Sequence, residues 1–298
     1  MSRFHQGDDQ RWSHSERSGG FGGFIRRLVS GIPWCEAAHD EETLDLDAPQ
    51  RGALKIYNAN GRTRVVGEER DRIEVRITKQ ARAETAEAAE ALLDSIQVVP
   101  TQLSDHLLLE VEIPSKWNRH GYANLEIAVP RKMRIAVTAA NGKVCLQGIE
   151  GDVKARSGNG SLSVVDVVGK VAVQTSNAKV CCKGICGDLF ARSSNGKIEL
   201  ACHRGSVDAS TSNGVIQAEL EEIGRGGITL ATSNGKIVLE LPDEVDADID
   251  IRVDNGVIRN DRDLEKQTGD ARGRLRGRLG RGGTAIKLRN SNGTIALR

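Results

Sequence analysis

Aromatic side chains make up only 3% of this chain of 298 residues. That is too few to fill the wide core of a conventional globular domain, so a thin core of Val, Ile, Leu and Ala is the alternative. No apolar run approaches the roughly 18 residues that a membrane-spanning helix needs. A net charge of +1, with 28% charged residues, gives a well-solvated surface, and no general polyanion binding follows from it. The six cysteines, Cys35, Cys145, Cys181, Cys182, Cys186 and Cys202, lack the paired C-x-x-C spacing of a zinc site. Cys182 falls where its counterparts are Leu or Val and reads as a small apolar filler. Cys186 and Cys202-His203 sit on later corners, where stacking would have to bring them together for a metal or redox site to form. A reduced, intracellular chain is the simpler account.

What the chain has in quantity is glycine, 33 residues of it, and much of that glycine follows a beat. Asn141, Asn159, Asn177, Asn195 and Asn213 are each 18 residues apart, and Asn234 and Asn255 follow at steps of 21. Around each Asn the text runs [ST]-x-N-G-x-[VIL], as in Thr211-Ser212-Asn213-Gly214-Val215-Ile216. A fixed period of this kind marks a repeat architecture. Apolar residues stand three and five positions after each Asn, as in Val144 and Leu146 or Ile198 and Leu200. A second alternating segment, such as Val171, Val173 and Thr175, leads into the next Asn. Period two means strand. Gly151, Gly169, Gly187 and Gly205 punctuate the unit a second time.

Side-chain sizes repeat at equivalent positions, as coil-on-coil stacking demands. We therefore expect an all-β chain, a parallel β-solenoid (β-helix) with 18- to 21-residue coils spaced by about 4.8 Å. The extra residues of the longer steps fall in the 220–227 corner and the 242–246 stretch. The hexapeptide period of left-handed acyltransferase helices fails, because Val144 is followed six residues later by Glu150.

Residues 1–43 read as a disordered or weakly helical tail and residues 44–298 as one solenoid domain. Residues 44–140 form irregular coils, with an inserted helix at 81–94 built from strong helix formers and strands at 107–113, 125–129 and 135–137. Residues 141–298 form the regular coils, interrupted by the Arg-rich stretch within 261–283 and closed by a last coil around Asn292. No export signal is seen, since Asp8 and Asp9 precede a short apolar patch broken by Arg26 and Arg27. This predicts a cytoplasmic protein, with cell-surface display requiring an unrecognised route. Phe24, Ile25, Leu28, Val29 and Ile32 share one helical face, which suits peripheral membrane contact, packing on the solenoid or no fixed structure.

The early Leu54-Lys55-Ile56-Tyr57-Asn58-Ala59-Asn60-Gly61 segment, the Asn-Gly repeats and the passage from 277 to 297 together resemble the bacterial putative-adhesin family of unknown function. The resemblance covers residues 44–298 and implies a β-solenoid with no established ligand and no catalytic residues. Asn177-Ala178 departs from the pattern by losing its Gly.

The functional reading is a non-enzymatic structural or interaction protein that binds a partner or surface through stacked side-chain ladders. Asn141, Asn159, Asn177, Asn195, Asn213, Asn234, Asn255 and Asn292 form the structural turn ladder. Candidate anion-binding residues are Lys143, Lys179, Lys197 and Lys236, each two after its Asn, and Arg272, Arg274, Arg276 and Arg278. An unknown protein or glycan is the expected partner. End-to-end self-association is suggested by the lack of sequence for a cap after Asn292. Nucleic acid is disfavoured by the absence of aromatic platforms beside the arginines. The alternative is a polysaccharide-acting β-helix enzyme using Asp152 and Asp188, whose expected separation of about 10 Å is wide for a glycosidase pair, with Glu199 on another face. No catalytic residue, metal ligand or cofactor is assigned.

Overall fold

A computed structural model describes residues 36–49, 52–114, 120–270 and 273–298. The first half comprises β1 (Glu36–Asp47), β2 (Ala53–Asn60), β3 (Thr63–Glu68), β4 (Arg72–Ala83), helix α1 (Ala86–Asp94), β5 (Gln97–Gln102), β6 (Leu107–Glu112), β7 (Gly121–Pro130) and β8 (Arg134–Asn141). The regular coils follow as β9 (Val144–Glu150), β10 (Val153–Ser157), β11 (Leu162–Val168), β12 (Val171–Thr175), β13 (Val180–Cys186), β14 (Leu189–Ser193) and β15 (Ile198–Glu240). The chain ends with β16 (Ala247–Asn260), β17 (Glu265–Asp270), β18 (Arg274–Leu279) and β19 (Thr284–Leu297). It is an all-β solenoid in which these strands join one hydrogen-bonded system.

Strands leading into each Asn stack in parallel, β2 on β8, β10, β12 and β14. Strands leaving it do the same, β3 on β9, β11 and β13, and β15 continues both columns. The register shift is one repeat, so Val153 lies on Val171 and Val171 on Leu189. These inward columns are buried throughout. A single coil cannot bury its apolar side alone, and stacking makes the core continuous.

The corner explains the repeat motif. The inward Ser or Thr two before the Asn bonds turn groups of its own corner or of the neighbouring one: Ser157 Oγ accepts from Gly160 N at 2.9 Å in its own corner, and Thr211 Oγ1 donates to Gly196 O at 3.2 Å in the next. The Asn points outward and its Nδ2 donates to the Oδ1 of the Asn one coil away. This runs without a break through Asn255, Asn292, Asn234, Asn213, Asn195, Asn177, Asn159, Asn141 and Asn60, at 2.9–3.1 Å. The Gly is required by close approach of successive backbones, since a Cβ on Gly160 would stand 1.6 Å from the Gly142 carbonyl oxygen. Nine rungs joined by eight such bonds span about 38 Å at the coil spacing.

At one end β7, β4 and β1 extend the stack, with β4 and β1 antiparallel. Strand β1 starts at Glu36 and takes in residues read from sequence as tail, because its acids find cations on β4: Glu42 with Lys79 at 3.0 Å and Asp45 with Arg72 at 3.1 Å. The helix starts at Ala86, later than the expected 81. Residues 81–83 complete β4 opposite β1, and Thr85 caps the helix by accepting from Ala88 N. Its Ala89, Leu92 and Leu93 are buried against this end.

The other end corrects the expected order of coils. The last coil does not follow the Asn255 coil in space. Strand β19 lies between β15 and β16, parallel to both, while β18 and then β17 cap β16 in antiparallel fashion. The 21-residue step from Asn234 to Asn255 therefore climbs two levels, and the 242–246 stretch bridges the slot that β19 fills. The terminal strand is paired on both sides, with Arg298 N donating to Leu239 O and Asp261 N to Leu297 O at 2.9 Å each. It offers no free edge for the end-to-end association that sequence suggested.

Two outcomes are expected. Asn195→Ala removes two ladder bonds and should cost about 1–2 kcal/mol in urea melts. Asn195→Asp should cost more, because a carboxylate then faces the Asn177 oxygen; equal midpoints for the three proteins would show that the ladder does not stabilise the fold. Removal of residues 284–298 should abolish a single cooperative transition and expose dye-binding apolar surface. An unchanged midpoint would mean that β16 closes directly on β15.

Candidate functional site

The outward residues of the strands leading into the corner form two columns. One runs Tyr57, Thr138, Arg156, Gln174, Arg192 and Ser210, and ends on Ala231, Arg289 and Arg252. The other includes Lys55, Lys154, Phe190, Asp208, Lys287 and Asp250. Tyr57 and Phe190 are large apolar groups left 44% and 42% exposed, in a protein with few aromatics to spare. The Arg192 guanidinium stacks 3.9 Å over the Phe190 ring and also bonds the Asp208 carboxylate at 2.8 Å. The two rings stand four coils apart, about 19 Å along the stack.

A groove lies at each end of this face. One, of about 210 Å³, passes between Lys55, Tyr57, Thr138, Lys154 and Arg156. The other, of about 440 Å³, is edged by Ser210, Ser212, Ser233, Ser291, Arg252 and Arg289. Its cations are matched: Arg289 grips both oxygens of Asp250 at 2.8 and 3.2 Å, and Arg252 meets Asp254 at 3.1 Å. The Arg289 guanidinium, with Arg276 nearby, holds the Asp250 carboxyl below its ordinary pKa. The larger groove is thus a polar, nearly neutral surface of hydroxyls and ion pairs, whereas the smaller one carries Lys55, Lys154 and Arg156 beside the Tyr57 ring. Sequence reading had missed this face, because its members are single outward residues spread over many repeats.

The residues singled out from sequence lie elsewhere. Lys143, Lys179 and Lys197 fall in one column on the strands leaving the corner, but Ser161 interrupts it, and Lys236 lies level with Thr294 further along. Lys179 and Lys197 both clasp Glu199, whose pKa their hydrogen bonds lower, so two lysines of the stripe share one carboxylate that offsets one of their charges. In the Arg-rich stretch, Arg272 lies outside the described residues. Arg276 and Arg278 are drawn to Asp250 and Asp248 at 3.6 and 3.2 Å, Arg281 closes on Asp246 at 2.9 Å, and Arg274 is also partnered. The cluster is an ion-paired cap on β16. Asp152 fixes a turn by accepting from Lys170 N at 3.1 Å, and Glu199 is held by its lysines on the other face. The acids considered for catalysis do not converge.

Cys182 is buried, and burial raises its pKa. Cys186 faces solvent in register with Arg204, whereas His203 turns inward and is 1% exposed. Among the described residues no three of His, Cys, Asp and Glu form a metal-ligand set. His203 extends the inward column of Ile149, Val167 and Ile185, and neither ring nitrogen has a hydrogen-bond partner of good geometry. Burial holds its pKa below the ordinary value, outweighing the favourable effects of the Ser206 and Gly205 backbone and of Asp188.

These features define a parallel β-solenoid that presents stacked outward side chains. Residues 51–298 match the family model described as Toastrack DUF4097, and the chain belongs to that family. Among curated proteins no match is found. Solved structures similar to it include a putative adhesin from Bacteroides fragilis, 14% identical, covering 87% of this chain and 97% of that one with a TM-score of 0.47. Another is a putative lipid binding protein from Parabacteroides distasonis, 13% identical, with coverages of 87% and 97% and a TM-score of 0.43. A putative cell adhesion protein from Clostridium sporogenes is 10% identical, with coverages of 87% and 99% and a TM-score of 0.28. Likenesses this distant carry no ligand across. Among the described residues no helix is long and apolar enough to cross a membrane.

His203 generates a pH prediction. Its folded-state pKa is depressed, so the unfolded chain takes up the proton first, and stability falls as pH drops below about 6.5. His203→Ile should stabilise the protein at neutral pH and flatten its stability between about pH 6.5 and 5, a window above the ordinary carboxylate range. Urea melts at both pH values, showing the same slope in both proteins, would refute this.

Proposed function

We propose that the protein is a non-enzymatic binding scaffold whose working surface is the outer face of the strands leading into the Asn corner, and that this face binds a glycan. The observation that carries the reading is the pairing of two exposed rings, Tyr57 and Phe190, with the two polar grooves on the same face. Sugar rings have apolar faces that pack on aromatics and hydroxyl rims that bond to Ser, Arg and Asp. At the larger groove a neutral ligand fits better than a polyanion, since the Arg side chains there are already paired. The extended, straight surface favours several weak contacts along one chain, where each engaged unit raises the effective concentration of the next.

The test is a glycan array with the full chain, followed by calorimetry on any glycan retained. Tyr57→Ala with Phe190→Ala should weaken binding at least about tenfold while leaving the melting midpoint nearly unchanged, as expected for exposed positions. Lys179→Gln with Lys197→Gln should leave binding unaltered. Retention of no glycan, or loss with the lysine pair alone, would end this reading.

A further inference from the structure

An apolar groove of about 450 Å³ lies beside helix α1, at the end of the solenoid formed by β1 and β4. Its walls are Ala83, Glu84, Ala88, Ala91, Leu92 and Pro114. Ala88 and Ala91 on α1, with Glu84 just before its Thr85 cap, form one wall, and the two alanines allow close approach. Of the helix, Ala89, Leu92 and Leu93 pack against the end of the solenoid, while Ala88 and Ala91 stay exposed. The groove's surroundings are acidic: Glu84 lines it, and α1 carries Glu87, Glu90 and Asp94 with no Lys or Arg.

We propose that residues 24–32 of this chain occupy the groove. That segment lies outside the described residues, but its point of entry is fixed. The described chain begins at Glu36, which pairs with Ala83, itself a wall of the groove. Ile32 is four residues before Glu36, within about 14 Å of it even if fully extended. The segment supplies Phe24, Ile25, Leu28, Val29 and Ile32 on one helical face, with Arg26 and Arg27 off that face. Its apolar face matches the groove and its two cations match the acidic helix. Sequence economy points the same way, because Phe4, Trp12, Phe21, Phe24 and Trp34 are five of the nine aromatics in the whole chain. A wedge tethered this closely docks at high effective concentration, so modest contact area suffices.

Trypsin provides the test on the full chain, because the tail contains its own controls. Cleavage after Arg26 and Arg27 should be at least about tenfold slower than after Arg11 and Arg17, reflecting the small population of the undocked state. Filling the groove with Ala88→Arg and Ala91→Arg, both compatible with helix, should abolish that protection. Phe24→Ser with Leu28→Ser should do the same without touching the folded part, and unchanged melting midpoints would confirm that α1 remains in place. Equal cleavage at all four sites in the unaltered protein would overturn the proposal. So would protection that survives both pairs of substitutions. Protection appearing only on addition of phosphatidylglycerol–phosphatidylcholine vesicles would assign residues 24–32 to a lipid surface instead.

Discussion

The structure depends on how closely one coil's backbone approaches the next at the Asn corner. At Gly160, Gly196, Gly235 and Gly293 the space where a Cβ would stand is taken by a carbonyl of the neighbouring coil. Glycine there lets the strands on both sides of the corner stack at the hydrogen-bonding distance at once. The inward Ser or Thr then satisfies turn groups that the tight corner would leave buried without partners. The outward Asn ties adjacent corners together. The three roles are distinct, although Asn58 and Asn290 take the inward place of Ser or Thr at two corners and donate to the Ala123 and Gly235 carbonyls. Ala178 shows that the rule has some give: one coil carries a methyl group at this position, and the Asn ladder passes through Asn177 without a break.

Because each Asn donates in the same direction, the ladder has a sense, and the insertion of β19 respects it. Asn292 donates to Asn234 and accepts from Asn255, as any intermediate rung would. The corner therefore recognises a neighbouring coil by its shape and polarity, not by its place in the chain. That indifference is what permits the last segment to enter between two earlier ones. Closure of this end requires residues far apart in sequence, Ile228 with Ile286 and Ile249 with Ile286. Contacts of such separation form late and make folding of this end less local than that of the regular coils.

Where the sequence repeats, its period and alternation were enough to read the solenoid, the corner and the inward columns, because each is a local pattern multiplied many times. What escaped the reading is non-local or singular. Nothing in a step of 21 residues distinguishes one level from two, so the position of β19 was hidden. The acidic residues of β1 looked like tail because their cationic partners, Lys79 and Arg72, lie well along the chain. A second bend also went unnoticed. It runs through Gly148, Asp166, Gly184 and Cys202, all at positive φ between 52° and 69°, and the change of residue type disguises a column that the backbone repeats. The lysine stripe was legible as a pattern, but its partial neutralisation by Glu199 depends on outward residues of two coils meeting on one face.

This division between constrained and unconstrained positions bears on where function can reside. Inward columns are held by packing and corner positions by backbone approach, so neither can adapt to a ligand without loss of the fold. Only outward positions on the strands are free to vary, and a binding surface on such a scaffold must be written there, one residue per coil. Some outward positions hold charges that find partners on the next coil, as on the Lys179–Glu199–Lys197 face. The face with Tyr57 and Phe190 differs, because ring surface left in water is unfavourable by the same hydrophobic term that fills the core. Single exposed apolar residues are ordinary. Two of the few rings in this solenoid, placed on one face with polar grooves at both ends, are better explained by a ligand that covers them than by the needs of the coil beneath.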